Sequence, residues 1–295
     1  MKVLIELDKA GAEWVVVAYL SGDANMLEVI DSGKSPHTVT GSLISRAPYD
    51  FVEKESKVVG QNTDPDTISE LRETLASEID DDWFMPRIFS IRQMGKKSNH
   101  GLNYDMKYRR FALENEIEER EAERIVTLYH RQAYPSIKIW HKTVQSSLRD
   151  DRTLTNCFGR KRRFMDAWGP ELWDAAYSFL PQSTVFDITR IGMVKTFNNP
   201  ALDCYELLAQ THDSVTYQTE LSKKNYKQVA NDVVKIGLDY MNPLCIYNSR
   251  EFYIGTTMKI GTDWGDMHEC VLDEDLSATA DSVKEVMLDG KAAVR

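Results

Sequence analysis

The chain has 295 residues, 42% of them hydrophobic, and a net charge of −10. That is enough apolar content for one large domain or two, while the acidic balance argues against binding nucleic acid through a broadly basic face. The longest apolar run, residues 14–20, is far too short to span a membrane, and Cys157, Cys204, Cys245 and Cys270 lack C-x-x-C spacing, so they read as reduced thiols of a cytoplasmic protein and not as a zinc site.

Residues 2–8, KVLIELD, predict a buried strand ending at Asp8. Residues 12–31 predict a helix and a turn at Gly22 and Asp23, with a second short helix starting over 24–33. Residues 47–88 hold acidic stretches, Pro65 and a helical pattern over 67–79. A helix is expected over 89–103, then a long charged helical pattern over 108–134 that Pro135 ends, and a further helix over 136–148. Residues 153–164 predict a hairpin with Gly159 in its turn, followed by helices over 170–179 and 183–197. Residues 205–210 and 215–219 flank His212 and Asp213 as a hairpin with the acid at its tip. A helix over 222–239 and a strand pair over 250–260 complete the pattern. The positive charge is local: Lys107, Arg109 and Arg110 form one cluster, and Arg160 to Arg163 another.

Arg92, Lys96, His100 and Tyr104 recur every four residues, so a helix would line them up on one face. Each step rises about 6 Å, and the stripe covers roughly 18 Å, the reach of a nucleoside triphosphate. Two cations suit phosphates, and two rings suit a sugar and a base. Gly95 and Gly101 each cost a helix interior about 1 kcal/mol, and close approach of a substrate is a reason for both. Asp8 and Asp213 are placed to hold Mg²⁺ ions if their strands are neighbours. Taken singly, each feature has a plainer explanation: an aspartate ends strands and forms turns, and charges four apart are common on solvated helices.

Together these segments resemble family A DNA polymerases. RQMGKKSNHGLNYD, residues 92–105, is similar to motif B, R-x3-K-x7-YG with an aromatic four residues before the tyrosine, and Gly101 matches the family's glycine. LDKAGAEWVVVAYLSGD (7–23) resembles motif A, and THDSV (211–215) resembles motif C. SPHTVTG (35–41) resembles the segment with the phosphate-binding histidine, LPQS (180–183) the glutamine segment, and REFYIGTTMKIGTDWG (250–265) the closing palm strands.

The resemblance implies roles residue by residue. Asp8 and Asp213 would be catalytic and hold two Mg²⁺ ions. Glu13, His37, Arg92, Lys96, His100 and Tyr104 would bind the incoming dNTP, with Glu13 and Tyr104 excluding a 2′-hydroxyl. Gln182 and His212 would contact primer-template DNA; Arg160 and Arg163 are expected to do so on the separate ground that a basic hairpin suits a nucleic-acid backbone. The chain departs from the family at His100, where Phe or Tyr is usual, and at Asp105, which replaces the glycine after Tyr104. Ser214 replaces the second acid of motif C, and Ala10 and Val15 replace the Ser and Arg of motif A.

The expected organisation is a mixed α+β fold. Residues 1–15 would be a palm strand with motif A, and 16–175 mostly helical fingers in which 46–88 reads as an insertion. Residues 176–270 would be the C-terminal part of an antiparallel palm sheet, and 271–295 a C-terminal tail. Seven residues precede Asp8, so thumb, first palm strands and exonuclease are expected to be absent, leaving the strand of Asp8 short of neighbours. The expectation is therefore a fingers-and-palm subunit of a split, phage-encoded polymerase in the host cytoplasm, with no membrane association. A second polypeptide would supply the thumb and N-terminal palm, with or without a 3′–5′ exonuclease. The alternatives are a non-catalytic DNA-binding or assembly subunit and a two-metal nuclease, although the stripe has no use in the nuclease.

Overall fold

The computed structural model describes residues 1–289. In chain order the elements are β1 Lys2–Lys9, α1 Ala12–Ser21, α2 Ala24–Asp31, α3 Pro36–Ser45, α4 Tyr49–Val59, α5 Pro65–Glu73, α6 Ile91–Leu102, α7 Tyr108–Asn115, α8 Glu119–Leu128, α9 Ser136–Asp151, β2 Thr153–Thr155, β3 Lys161–Arg163, α10 Pro170–Phe197, β4 Glu206–Thr211, β5 Ser214–Glu220, α11 Tyr226–Val234, β6 Cys245–Tyr247, β7 Arg250–Phe252, β8 Thr256–Gly261, β9 Met267–Cys270 and α12 Leu276–Asp289. They divide into a sheet unit (Met1–Glu13, Thr155–Arg160 and Pro181–Arg295) and a helical unit (Trp14–Leu154 and Lys161–Leu180). The α+β class expected from the pattern is the class observed.

In the sheet unit, β1 is the central strand of a five-stranded antiparallel sheet, in the order β4-β5-β1-β8-β9. Alternation along a strand sends Val3, Ile5 and Leu7 to one face. There they join Val215, Tyr217, Met258 and Ile260 in a core completed by Val229 and Val233 of α11 and Val283 and Val286 of α12. Leu4, Glu6 and Asp8 belong to the other face. Two expectations are corrected here. The strand of Asp8 is paired on both sides, because β5 and β8 arrive from the C-terminal half of the same chain. The segment expected as a tail forms α12, whose apolar face closes the core.

In the helical unit, the core gathers aromatic residues, among them Trp14, Phe111, Tyr129, Tyr134, Trp140 and Tyr177. Helix starts follow capping chemistry: Asp23, Ser35, Asp64 and Ser90 accept hydrogen bonds from the first-turn N–H groups of α2, α3, α5 and α6. Residues 47–88 contain α4, a helix the sequence reading missed. Phe51, Val52, Glu55 and Val59 form its buried face, with Leu75 and Ile91 packed alongside in a small core. The pattern over 108–134 is not one helix, because Glu116 turns left-handed with φ 51° between α7 and α8. The expected break at Pro181 does not occur; α10 runs through it, held by side chains buried on either side, Tyr177 and Ile188 among them. No helix among the described residues is long and apolar enough to cross a membrane.

Candidate active site

The sheet unit builds an acid pair. Thr211 and Ser214 face each other across β4 and β5 and close a two-residue turn. His212 takes φ 53° in that turn, and Asp213 stands beside it. The register pairs Asp8 with Ser214, so the neighbour of Asp213 lies directly across from Asp8. The two carboxyls are close enough to share a hydrogen bond. Burial, then the Asp213 charge and that hydrogen bond, push Asp8 up to about 6, against the pull of Lys259 on β8. Burial, with the Glu13 charge adding to it, raises Asp213 as well. Glu13 thus feeds negative potential into the same place. The Ser214 hydroxyl donates back to Thr211 O at 3.0 Å.

Two half-buried carboxylates side by side, both held above their usual range, suit a divalent cation, which would neutralise both. Among the described residues no group of three or more His, Cys, Asp or Glu is arranged as a metal cage. A two-aspartate site fits Mg²⁺, which takes few carboxylates and completes its shell with water and substrate phosphates. Lys9, which the sequence reading passed over, lies next to Asp8 on the core face. Its buried ammonium donates to Met241 O at 2.7 Å, Thr256 Oγ1 at 2.8 Å and Ile254 O, tying β1 to the segments beside it.

The helical unit carries the stripe. Ile91, Met94, Ser98 and Leu102 bury one face of α6, and Arg92, Lys96 and His100 stand on the other, with Tyr104 in the turn just beyond. Arg92 and Lys96 have no carboxylate partner among the described residues. His37 comes from α3 to the same face, its ring centroid 6.0 Å from that of His100. Burial, then the charges of Arg92, His100 and Lys96, drive His37 down to about 3, so it is neutral at physiological pH.

Its tautomer is fixed from behind. Asn99 Oδ1 accepts from Thr40 at 2.9 Å and from Tyr129 at 3.1 Å. The Asn99 amide nitrogen therefore donates, reaching Pro36 O at 3.3 Å and His37 Nδ1 at 3.1 Å. With Nδ1 accepting, the proton sits on Nε2, which makes His37 a neutral donor beside two cations. The sequence reading missed this network. Its one trace is that Asn99 and Asn103 sit four apart on the face opposite the stripe, where polar residues need partners.

Other expectations change. A Cβ at Gly95 would lie 2.1 Å from His37 O and 2.6 Å from Gly41 N, so this glycine lets α3 and α6 touch and does not open space for substrate. A Cβ at Gly101 would meet only the end of Met106, at 3.0 Å. Asp105 keeps the left-handed backbone a glycine would have, at φ 67°. Burial acts to raise its carboxyl, but Lys107 and Lys138 outweigh it and hold it below the usual range. These ion pairs hold Asp105 in place just after Tyr104.

Of the four residues expected to meet DNA, Arg160 is already engaged. Its guanidinium forks onto Asp187, Nη2–Oδ1 at 2.7 Å and Nε–Oδ2 at 2.9 Å, and lies over Phe186. That pair neutralises the charge a free phosphate contact would use. Arg163 is exposed on β3, His212 is exposed at the turn, and Gln182 is exposed on α10 in line with Phe186 and Arg190.

The chain belongs to DNA polymerase family A, whose model matches residues 76–266, a stretch that includes the α6 stripe and Asp213. It is 27% identical to the thermostable DNA polymerase I of Thermus aquaticus over 89% of this chain, and 22% identical to DNA polymerase I of Treponema pallidum over 90%. Those alignments take in 27% and 23% of the two relatives, so this chain spans about a quarter of their length. Among solved structures, the POL domain of Pol1 from M. smegmatis, in complex with DNA primer-template and dNTP, has the same fold at a TM-score of 0.63. The sequences are 19% identical, and the match covers 89% of this chain and 40% of that one.

Proposed function

We propose that this chain provides the nucleotidyl-transfer chemistry of template-directed DNA synthesis. The observation that carries the reading is the acid pair: Asp8 and Asp213, 205 positions apart in sequence, are set side by side by the β1–β5 register, with raised pKa values. Asp8 and Asp213 would hold two Mg²⁺ ions. Bound there, the ions supply the charge that favours an ionised primer 3′-hydroxyl and balances the phosphoryl transition state. The 3′-oxygen bonds to the α-phosphorus of a dNTP, and the bond from that phosphorus to the bridging oxygen breaks, releasing pyrophosphate.

The protein's own side chains position the charge. Arg92, Lys96 and the Nε2–H of His37 take the triphosphate and stay with the leaving pyrophosphate. His100 and Tyr104 offer rings to the sugar and base, Glu13 bounds the sugar's 2′ position, and Arg163, Gln182 and His212 contact primer-template. The reading includes a partner that helps to grip the duplex, because a net charge of −10 makes unaided phosphate contact weak. We propose a second polypeptide that carries the thumb and N-terminal palm.

Primer extension with magnesium, in the presence of the supplied segments, tests the core of the proposal. Asp213→Asn should lose extension by at least two orders of magnitude and remain folded by circular dichroism. Extension at the parental rate would remove the acid pair from the chemistry.

A further inference from the structure

A cavity of about 590 Å³ opens beside α6. One wall is the helix, with Arg92, Lys96 and Lys97 lining it; the other is the loop at residues 60–63, between α4 and α5. None of the described residues lining the cavity is acidic, in a chain whose net charge is −10. Lys97 donates to Glu114 O at 3.3 Å and lies over the Phe89 ring, and Arg92 and Lys96, facing an uncharged polar loop across open space, make a site for a compact polyanion. Asp64, the nearest acid along the loop, is turned away: its carboxylate caps α5 by accepting from Thr67 N at 2.8 Å.

The loop is held in place from below. Glu55 of α4 is fully buried and receives the fork of Arg72 from α5. The same Glu55 accepts the Ile91 N–H at 3.0 Å, at the first residue of α6. Arg72 also donates to Pro86 O at 2.5 Å and to Phe89 O at 3.1 Å. One buried ion pair therefore fixes α4, α5 and the start of α6 together, and sets the loop's distance from Arg92. Gly60 turns the chain at φ 61°, ψ −132°, a conformation that suits glycine, and so directs Gln61 to Thr63 into the cavity wall.

We propose that the loop at residues 60–63 is part of the triphosphate site. Gln61 and Thr63 face the outer phosphates of the nucleotide whose inner phosphates lie on Arg92 and Lys96. The inference rests on the function proposed above and deepens it. It assigns segment 47–88 the task of closing the phosphate end of the nucleotide site and so of setting nucleotide affinity.

The test changes the charge of the exposed loop and reads binding directly. Inorganic tripolyphosphate and a dNTP are titrated calorimetrically against the full chain, Gln61→Glu, Gln61→Lys and Lys96→Ala. A carboxylate at 61 should weaken both ligands roughly tenfold, and an ammonium there should tighten both, as expected for a unit charge several ångströms from phosphate near a protein surface. Melting temperatures should not move, because Gln61 is exposed. If both Gln61 variants bind within twofold of the parent while Lys96→Ala binds weakly, the loop is not part of the site. If Lys96→Ala also binds normally, it is the nucleotide role of α6 that fails. If the Gln61 variants alter affinity for duplex DNA and not for tripolyphosphate, the loop borders the duplex, and the inference is overturned.

Discussion

At the scale of single residues, the acid pair links protonation to stability. The Asp8 carboxyl holds its proton up to about 6 when folded and only to about 4 when unfolded. Between those values the folded state binds more protons, so stability falls as pH rises through that window, and the loss is complete above it. Asp8→Asn should therefore melt higher than the parent at pH 7–8 without divalent ions, and at the same temperature below about pH 4. Added Mg²⁺ should narrow the difference by stabilising the parent, and thermal scans across pH with and without the ion would show it. The His37 network gives a second prediction. Its ring carbon protons should show no titration above pH 5 by NMR, because burial, with Arg92 and Lys96 nearby, keeps the ring neutral. Asn99→Leu would take one hydrogen bond each from the Thr40 and Tyr129 hydroxyls, which keep Tyr134 and Asn103 as partners, and should cost about 1 kcal/mol in urea unfolding. Freed from its anchor, the His37 ring should show the two tautomers mixed in its nitrogen shifts.

At the scale of elements, two glycines on one helix make a contrast. Spacing alone offers both as openings for substrate, and both face protein. Gly95→Ala forces a Cβ onto the backbone of α3, where nothing flexible can move. It should destabilise by about 1–3 kcal/mol and weaken dNTP binding by displacing His37. Gly101→Ala meets only the flexible end of Met106. The gain in helix propensity, about 1 kcal/mol, should largely offset that contact, leaving stability close to the parent's. Urea denaturation of the two variants separates these cases; equal losses would mean that α3 and α6 do not touch at Gly95. The same crossing explains how α6 can expose both charges and rings: its neighbour is packed through glycine and asparagine on the far side.

At the scale of the whole molecule, charge shapes the expected behaviour. A chain of net charge −10 should bind primer-template weakly by itself, because phosphate contacts dominate such affinity. Primer extension by the purified chain should be slight, and should rise on adding a polypeptide that carries the thumb and N-terminal palm. Processive synthesis by the chain alone would reject the partner requirement. The joint need not run along the strand of Asp8, as the sequence reading supposed, because β5 and β8 already occupy both of its edges.

The sequence by itself determined the chemistry-bearing elements. Period-four spacing on α6 and apolar runs closing on Asp8 and Asp213 are local signals, and short-range geometry is enough to interpret them. It also marked the hairpin of Asp213, since turn preferences act within a few residues. What only the tertiary structure decided depends on partners distant in the chain. The register that pairs Asp8 with Ser214, the Asn99 bonds that fix the His37 tautomer, and the pairing of Arg160 with Asp187 join residues that no local pattern connects. The buried Glu55 has the same character: on α4 it reads as one more charge in an acidic stretch. Folding places it between Arg72 and the Ile91 N–H, where a carboxylate shut away from water must find a cation and a donor, and that need is what fixes the start of α6.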